Sequence, residues 1–220
     1  MFRSVALPFA LALLFVGAPA LAGSGDDDPD LGSYGLDDVS RSVAPKGKLV
    51  CPDVPLTRYK GDVVRYKTPV RVYTGFVERL RRFEEIVAEV GTRFYGRPPL
   101  RIRHIGTYNC RRISRYPDLV SEHGVGNGID VAGFEFGRLP KGKTLPEGAP
   151  KAAKRGFTVT VLRDWDADPE TNAYKARFLR AVTDALTDRE DVFRVLLGPA
   201  YPGHKDHFHF DCAPYRLVVI

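Results

Sequence analysis

The chain has 220 residues, 44% of them apolar and 27% charged, and 33 Lys+Arg against 27 Asp+Glu give a net charge of +6. That apolar and aromatic content excludes disorder throughout, and three cysteines exclude a disulfide-dense miniprotein. One long apolar stretch is too few for a multi-pass membrane protein, and the length suits one large or two small domains.

That stretch opens the chain. Arg3 precedes an apolar run from Val5 to Val16, and Ala20-Leu21-Ala22 supplies an A-x-A pattern before Gly23. Residues 1–22 therefore read as a secretory signal peptide. The run is short for a spanning helix, which needs roughly 20 apolar residues. No cysteine follows Ala22, which argues against a lipoprotein anchor, and no transmembrane anchor is expected after cleavage. An exported protein, of the periplasm or of the extracellular space or cell envelope, is the expectation.

Residues 23–48 read as an acidic disordered linker. Six aspartates (26, 27, 28, 30, 37 and 38) lie among Gly, Ser and Pro, against Arg41, Lys46 and Lys48, so the segment carries −3. With Arg3 the only charge before it, residues 49–220 carry +8. A basic exported domain suits a polyanionic partner. Anionic cell-wall polymers and nucleic acid are both such partners; the aromatic–basic interleaving of nucleic-acid motifs is missing, so no nucleic acid is expected.

Residues 49–220 read as one α+β domain, a small, mostly antiparallel sheet with flanking helices. Phe76, Leu80, Phe83, Ile86, Val87, Val90 and Phe94 recur at steps of three and four, predicting an amphipathic helix that ends near Gly96. Leu100 to Ile105 alternates as a half-exposed strand does, and Gly128 to Phe136 is an apolar strand. Residues 138–155, rich in Lys, Pro and Gly, read as a long hairpin loop. Gly156 to Trp165 reads as another strand, and Tyr174, Phe178, Leu179, Val182 and Leu186 mark a second helix. Val192–Leu197, His207–Asp211 and Arg216–Ile220 complete the strands. His104 and Trp165 read as structural.

Cys51, Cys110 and Cys212 are an odd set for an exported chain, so one disulfide and one free thiol is the simplest outcome. The preferred pair is Cys51–Cys110, although Cys212 could pair with either.

Four of five histidines fall in two segments, Ser121-Glu-His-Gly-Val-Gly-Asn-Gly-Ile-Asp130 and His204-Lys-Asp-His-Phe-His-Phe-Asp211. Three glycines make a helix between His123 and Asp130 improbable, so the chain loops from His123 into the strand. Asp130, among Ile129, Val131 and Ala132, needs a partner because a bare buried carboxylate is costly; a metal or an arginine would serve. In a strand His207, His209 and Asp211 share one face, and Phe208 and Phe210 the other. Two imidazoles and a carboxylate suit zinc with a fourth position open to water. Other first-row metals would also fit such donors.

The two segments resemble the S-x-H-x-x-G-x-A-x-D and H-x-H motifs of the zinc metallopeptidases grouped with lysostaphin, D-alanyl-D-alanine peptidases and hedgehog. With Tyr108-Asn-Cys-Arg111, Asn127 to Phe134 and Leu197-Gly-Pro, the string over roughly residues 49–213 is similar to the bacterial extensin-like C-terminal domain family. The resemblance implies His123, Asp130 and His209 as zinc ligands, and His207 as the group that handles protons or steadies the oxyanion. It implies His204 as a further active-site histidine and Arg111 as a holder of substrate or oxyanion. Gly128 stands where the motif usually has Ala, and Asp206 where some relatives have Glu. Strand parity puts Asp206 opposite His207, so Asp206 is expected to orient rather than to act as base. The implied activity is hydrolysis of peptidoglycan peptides, as a D,D-carboxypeptidase or endopeptidase. The alternative is a wall-binding module that keeps zinc without catalysis; the presence of His204 and His207 favours the enzyme.

Overall fold

The computed structural model describes residues 34–166 and 173–220. The expected signal peptide and residues 23–33 of the expected linker lie outside them. The remainder of that linker does not behave as one. Tyr34 and Leu36 are buried, Asp37 pairs with Arg194, and Ser42 bridges Leu119. The acidic composition misled because Tyr34 and Arg41 have partners 93 and 81 residues away in sequence.

The chain then makes β1 (Leu56–Tyr59), β2 (Arg65–Tyr66) and β3 (Val70–Tyr73), with β1 and β3 forming a small antiparallel sheet. Helix α1 (Phe76–Tyr95) follows, buried along the predicted stripe and closed by Gly96 in the left-handed region, whose N–H donates to the Thr92 carbonyl at 2.8 Å. Glu84 on this helix is buried, and its carboxylate accepts from the N–H groups of Asp62, Val63 and Val64, fixing the approach to β2. Strand β4 (Arg101–Gly106) leads to the hairpin of β5 (Arg112–Ile113) and β6 (Tyr116–Val120).

A 3₁₀ turn, Glu122–Val125, connects to the central strand β7 (Gly128–Phe136). Strand β7 pairs with β4 along one edge. A bulge at Ala132–Gly133 shifts its register, so that Ile129 and Val131, then Phe134 and Phe136, all enter the core. The hairpin loop 138–155 returns the chain as β8 (Phe157–Thr160), antiparallel to β7.

Sequence periodicity extended that strand to Trp165. Instead, the buried Asp164 carboxylate accepts the Thr160 N–H at 2.8 Å and the chain turns into the single-turn helix α2 (Val161–Asp164). This local side-chain bond outweighs the β propensity of Val and Thr. Helix α3 (Ala173–Thr187) lies beside α1, and β9 (Val195–Leu197), β10 (Phe208–Asp211) and β11 (Leu217–Val219) end the chain.

The main sheet has seven strands in the order β11-β9-β10-β7-β4-β2, with β8 on β7. Only β2–β4 and β9–β11 pair in parallel, so the fold is the expected mixed α+β, mostly antiparallel but with a larger sheet than foreseen. Helices α1 and α3 cover one face: Phe83 and Phe178 pack against Phe210, Phe134 and Phe136. Trp165 is buried edge-on against Phe208.

Candidate metal centre

The opposite face of β7 and β10 carries the polar residues. Register pairs His209 with Asp130, so two residues distant in sequence stand side by side on adjacent strands. His123 comes from the 3₁₀ turn. Ser121 caps that turn by accepting the His123 N–H, and Gly126 ends it at φ 65°. A Cβ on Gly126 would stand 2.7 Å from the Tyr73 nitrogen, so this position requires glycine twice over.

His123, Asp130 and His209 bring one ligand atom each within 4.8 Å of one another. His123 Nε2 is 3.1 Å from Asp130 Oδ1 and 3.1 Å from His209 Nδ1, which is itself 2.9 Å from Asp130 Oδ1. The outer nitrogens of both rings are committed. His123 Nδ1–H donates to the Thr107 carbonyl at 2.7 Å, and His209 Nε2–H donates to Asp211 Oδ2 at 2.6 Å. A carbonyl and a carboxylate only accept, so both inner nitrogens of the neutral rings present lone pairs. Three acceptors thus face one point. Such a trio is stable only around a cation, and these partners are the outer hydrogen bonds that orient metal-binding histidines.

Burial would lower the His209 pKa, but the Asp130 and Asp211 carboxylates outweigh it and push it up to about 9. Burial alone would raise Asp130, yet the His123 and His209 rings beside it hold its carboxyl far below the ordinary range. The two partners foreseen for Asp130 were a metal or an arginine; no arginine approaches it among the described residues. The donor set, two nitrogens and one carboxylate, fits a metal ion.

The neighbouring histidines follow. His207 Nε2 points toward the trio, 3.7 Å from Asp130 Oδ1, and its Nδ1–H donates to Asp206 at 2.7 Å. Strand parity had set Asp206 apart from His207, but β10 begins only at Phe208, so both residues lie in the preceding turn, where parity does not apply. The His204 ring lies 4.8 Å from that of His207, and burial lowers its pKa. Arg111 is exposed just before β5 and lines a cleft of about 690 Å³ that also touches His204, His209 and Asp211.

Three supports escaped the sequence reading. Asp211 was placed on the right face with no role, although its i, i+2 spacing from His209 was visible. Glu122 accepts both Nε and Nη2 of Arg41, at 2.8 and 2.9 Å, and also the Asn127 amide. Asn127 Oδ1 accepts the Tyr34 hydroxyl at 2.9 Å. The segment once read as linker therefore clamps both ends of the loop between His123 and Asp130, through contacts that have no sequence signature. The Cys51–Cys110 disulfide is formed as preferred, and Cys212 is a buried thiol that burial pushes up to about 12. Cys51 Sγ packs against Gly124, directly behind His123. A disulfide of this kind fits an extracytoplasmic protein. His104 is structural, its Nε2 meeting Thr68.

Residues 38–145 match the family described as extensin-like protein C-terminus, and this stretch of the chain belongs to it. The match starts earlier than foreseen, taking in Arg41, and stops well before residue 213. His123, Asp130 and Arg111 lie inside it; His204, Asp206, His207 and His209 lie beyond it. No curated protein and no solved structure matches the chain.

Proposed function

We propose that this chain is an exported zinc-dependent peptidase acting on the peptides of peptidoglycan, of the D,D-carboxypeptidase or endopeptidase type. The acceptor-only trio of His123, Asp130 and His209 carries this reading, because its three ligand atoms converge beside a cleft. His123, Asp130 and His209 would hold zinc there, and zinc would supply Lewis acidity and lower the pKa of a water.

The chain's own residues do the rest. Asp206 fixes the His207 tautomer, so Nε2 faces the trio and can take a proton and pass it to the leaving amine. His204 backs that ring, and Arg111 at the cleft opposes developing negative charge. The disulfide supports residence in the periplasm or envelope, where a signal peptide over residues 1–22 would deliver the protein. The charge of +8 on residues 49–220 supports a peptidoglycan or other anionic wall polymer as partner, not nucleic acid.

The test is elemental analysis of wild type and His209→Ala, followed by incubation with purified peptidoglycan under mass-spectrometric readout. One zinc per wild-type chain, and chelator-sensitive new muropeptides, are expected. His207→Ala is expected to keep zinc and lose turnover. Zinc without products would replace the enzyme by a wall-binding module, and a folded chain without zinc would end both readings.

A further inference from the structure

The cleft beside the trio has an anatomy of its own. Its floor continues the site face of the sheet from His209 and Asp211 on β10 to Val195 and Leu197 on β9 and Leu217 on β11. These aliphatics, with Ala213, Tyr201 and Val219, form a second apolar cluster, separate from the main core. The β5–β6 hairpin makes one wall. From its turn Arg115 reaches toward the loop after β9, and its guanidinium lies 5.7 Å from the centre of the Tyr201 ring. Tyr201 in turn meets the His204 ring edge-on at 5.2 Å.

The acids that line the cleft are already answered. Glu122 is held by Arg41, and Asp211 by His209. Arg115 and Arg111 have no acidic partner among the described residues. The cleft therefore offers an aliphatic floor, room for a small ligand, and uncompensated positive charge at its rim. A polyphosphate or nucleic acid would need cations along its length, which this floor lacks. A short peptide of small aliphatic residues that ends in a carboxylate matches both parts, because a guanidinium binds a carboxylate in a planar, two-bond pair.

We propose that Arg115, steadied on Tyr201, is the carboxylate-recognition residue of this cleft, and that the cleft takes a short aliphatic peptide by its free C-terminus over Val195, Leu197 and Leu217. The proposal rests on the peptide-substrate reading above and adds which end of the peptide is recognised and by which residue. Arg115 is a specificity residue here; it belongs to neither the metal trio nor the proton-handling histidines.

The experiment is calorimetric titration of the full chain with tri-D-alanine and with its C-terminal amide. Chelator is present, so that neither turnover nor a carboxylate–metal bond contributes. The acid should bind about tenfold tighter than the amide, the worth of one charge-assisted contact. In Arg115→Gln that ratio should fall to about one with an unchanged melting temperature, and Arg115→Lys should keep part of it. An unchanged ratio in Arg115→Gln, a ratio that collapses only in Arg111→Gln, or no binding of either peptide would overturn the proposal. Hydrolysis is scored separately with zinc restored. Acid-selective binding without hydrolysis would sink the peptidase reading alone, and hydrolysis indifferent to Arg115 would sink this one alone.

Discussion

The two faces of the main sheet use the same strands and alternate residues of them, yet they are held together in different ways. On the helix side, Ile129, Val131, Phe208 and Phe210 meet α1 and α3 through apolar contact, which tolerates any neighbour of suitable shape. On the other side, Asp130, His209 and Asp211 meet through hydrogen bonds whose donors and acceptors must match one by one. The first face stores stability, and the second stores geometry. Substitutions on the first should move melting temperature and leave metal affinity of the folded chain alone; those on the second should do the reverse.

The largest effect is expected from Phe210→Ala. Its ring is fully buried against Phe83 and Phe193, and truncation should cost about 3–5 kcal/mol in denaturant unfolding. Arg41→Ala tests the border between the two faces. It strands the Glu122 carboxylate, whose pair with Arg41 is 10%/8% exposed, and should cost about 3 kcal/mol. Chelator competition on the folded variant should also show weakened metal uptake, because Glu122 adjoins His123.

The helix face was legible in the sequence because periodicity is a local record of burial. The stripe from Phe76 to Phe94 gave α1 to within a residue or two, an apolar run gave β7, and strand alternation placed Phe208 and Phe210 inward. The trio was legible because its ligands sit in two short motifs. What supports it was not. The Thr107 carbonyl that sets the His123 tautomer is backbone, and any residue could supply it. Arg41 and Tyr34 sit in a stretch whose composition resembles a linker, and only their partners 81 and 93 residues away make them structural. Pairing at that distance leaves no local pattern.

Asp211→Asn sharpens the comparison from the site side. The variant keeps shape and loses the charge that orients His209 Nε2, so metal affinity should fall about 10–100-fold with little change in melting temperature of the metal-free chain. Asp37→Asn is a smaller, pH-dependent case. Hydrogen bonds from Arg194 hold the Asp37 carboxyl below its ordinary range. Its stabilisation is thus complete above the unfolded pKa of about 3.9 and lost as pH falls through the lower folded value. Wild type should exceed the variant by under about 1 kcal/mol at pH 7, and the two unfolding curves should converge as pH falls below the folded value. Gly128→Ala should change least. Its new Cβ would sit 3.3 Å from Asp211 Cβ and 3.4 Å from His209 Cε1, a contact relieved by a few tenths of an ångström.

The sequence separation of 79 between Asp130 and His209 has a thermodynamic meaning. An unfolded chain of this length rarely brings the two side by side, so a cation held by the trio would bind the native state far more tightly than the denatured one. Each tenfold of free metal above its dissociation constant then adds about 1.4 kcal/mol to folding. With an ion held there, the midpoint of a thermal melt would become a readout of metal activity, and the chain would be sturdiest wherever that ion is plentiful.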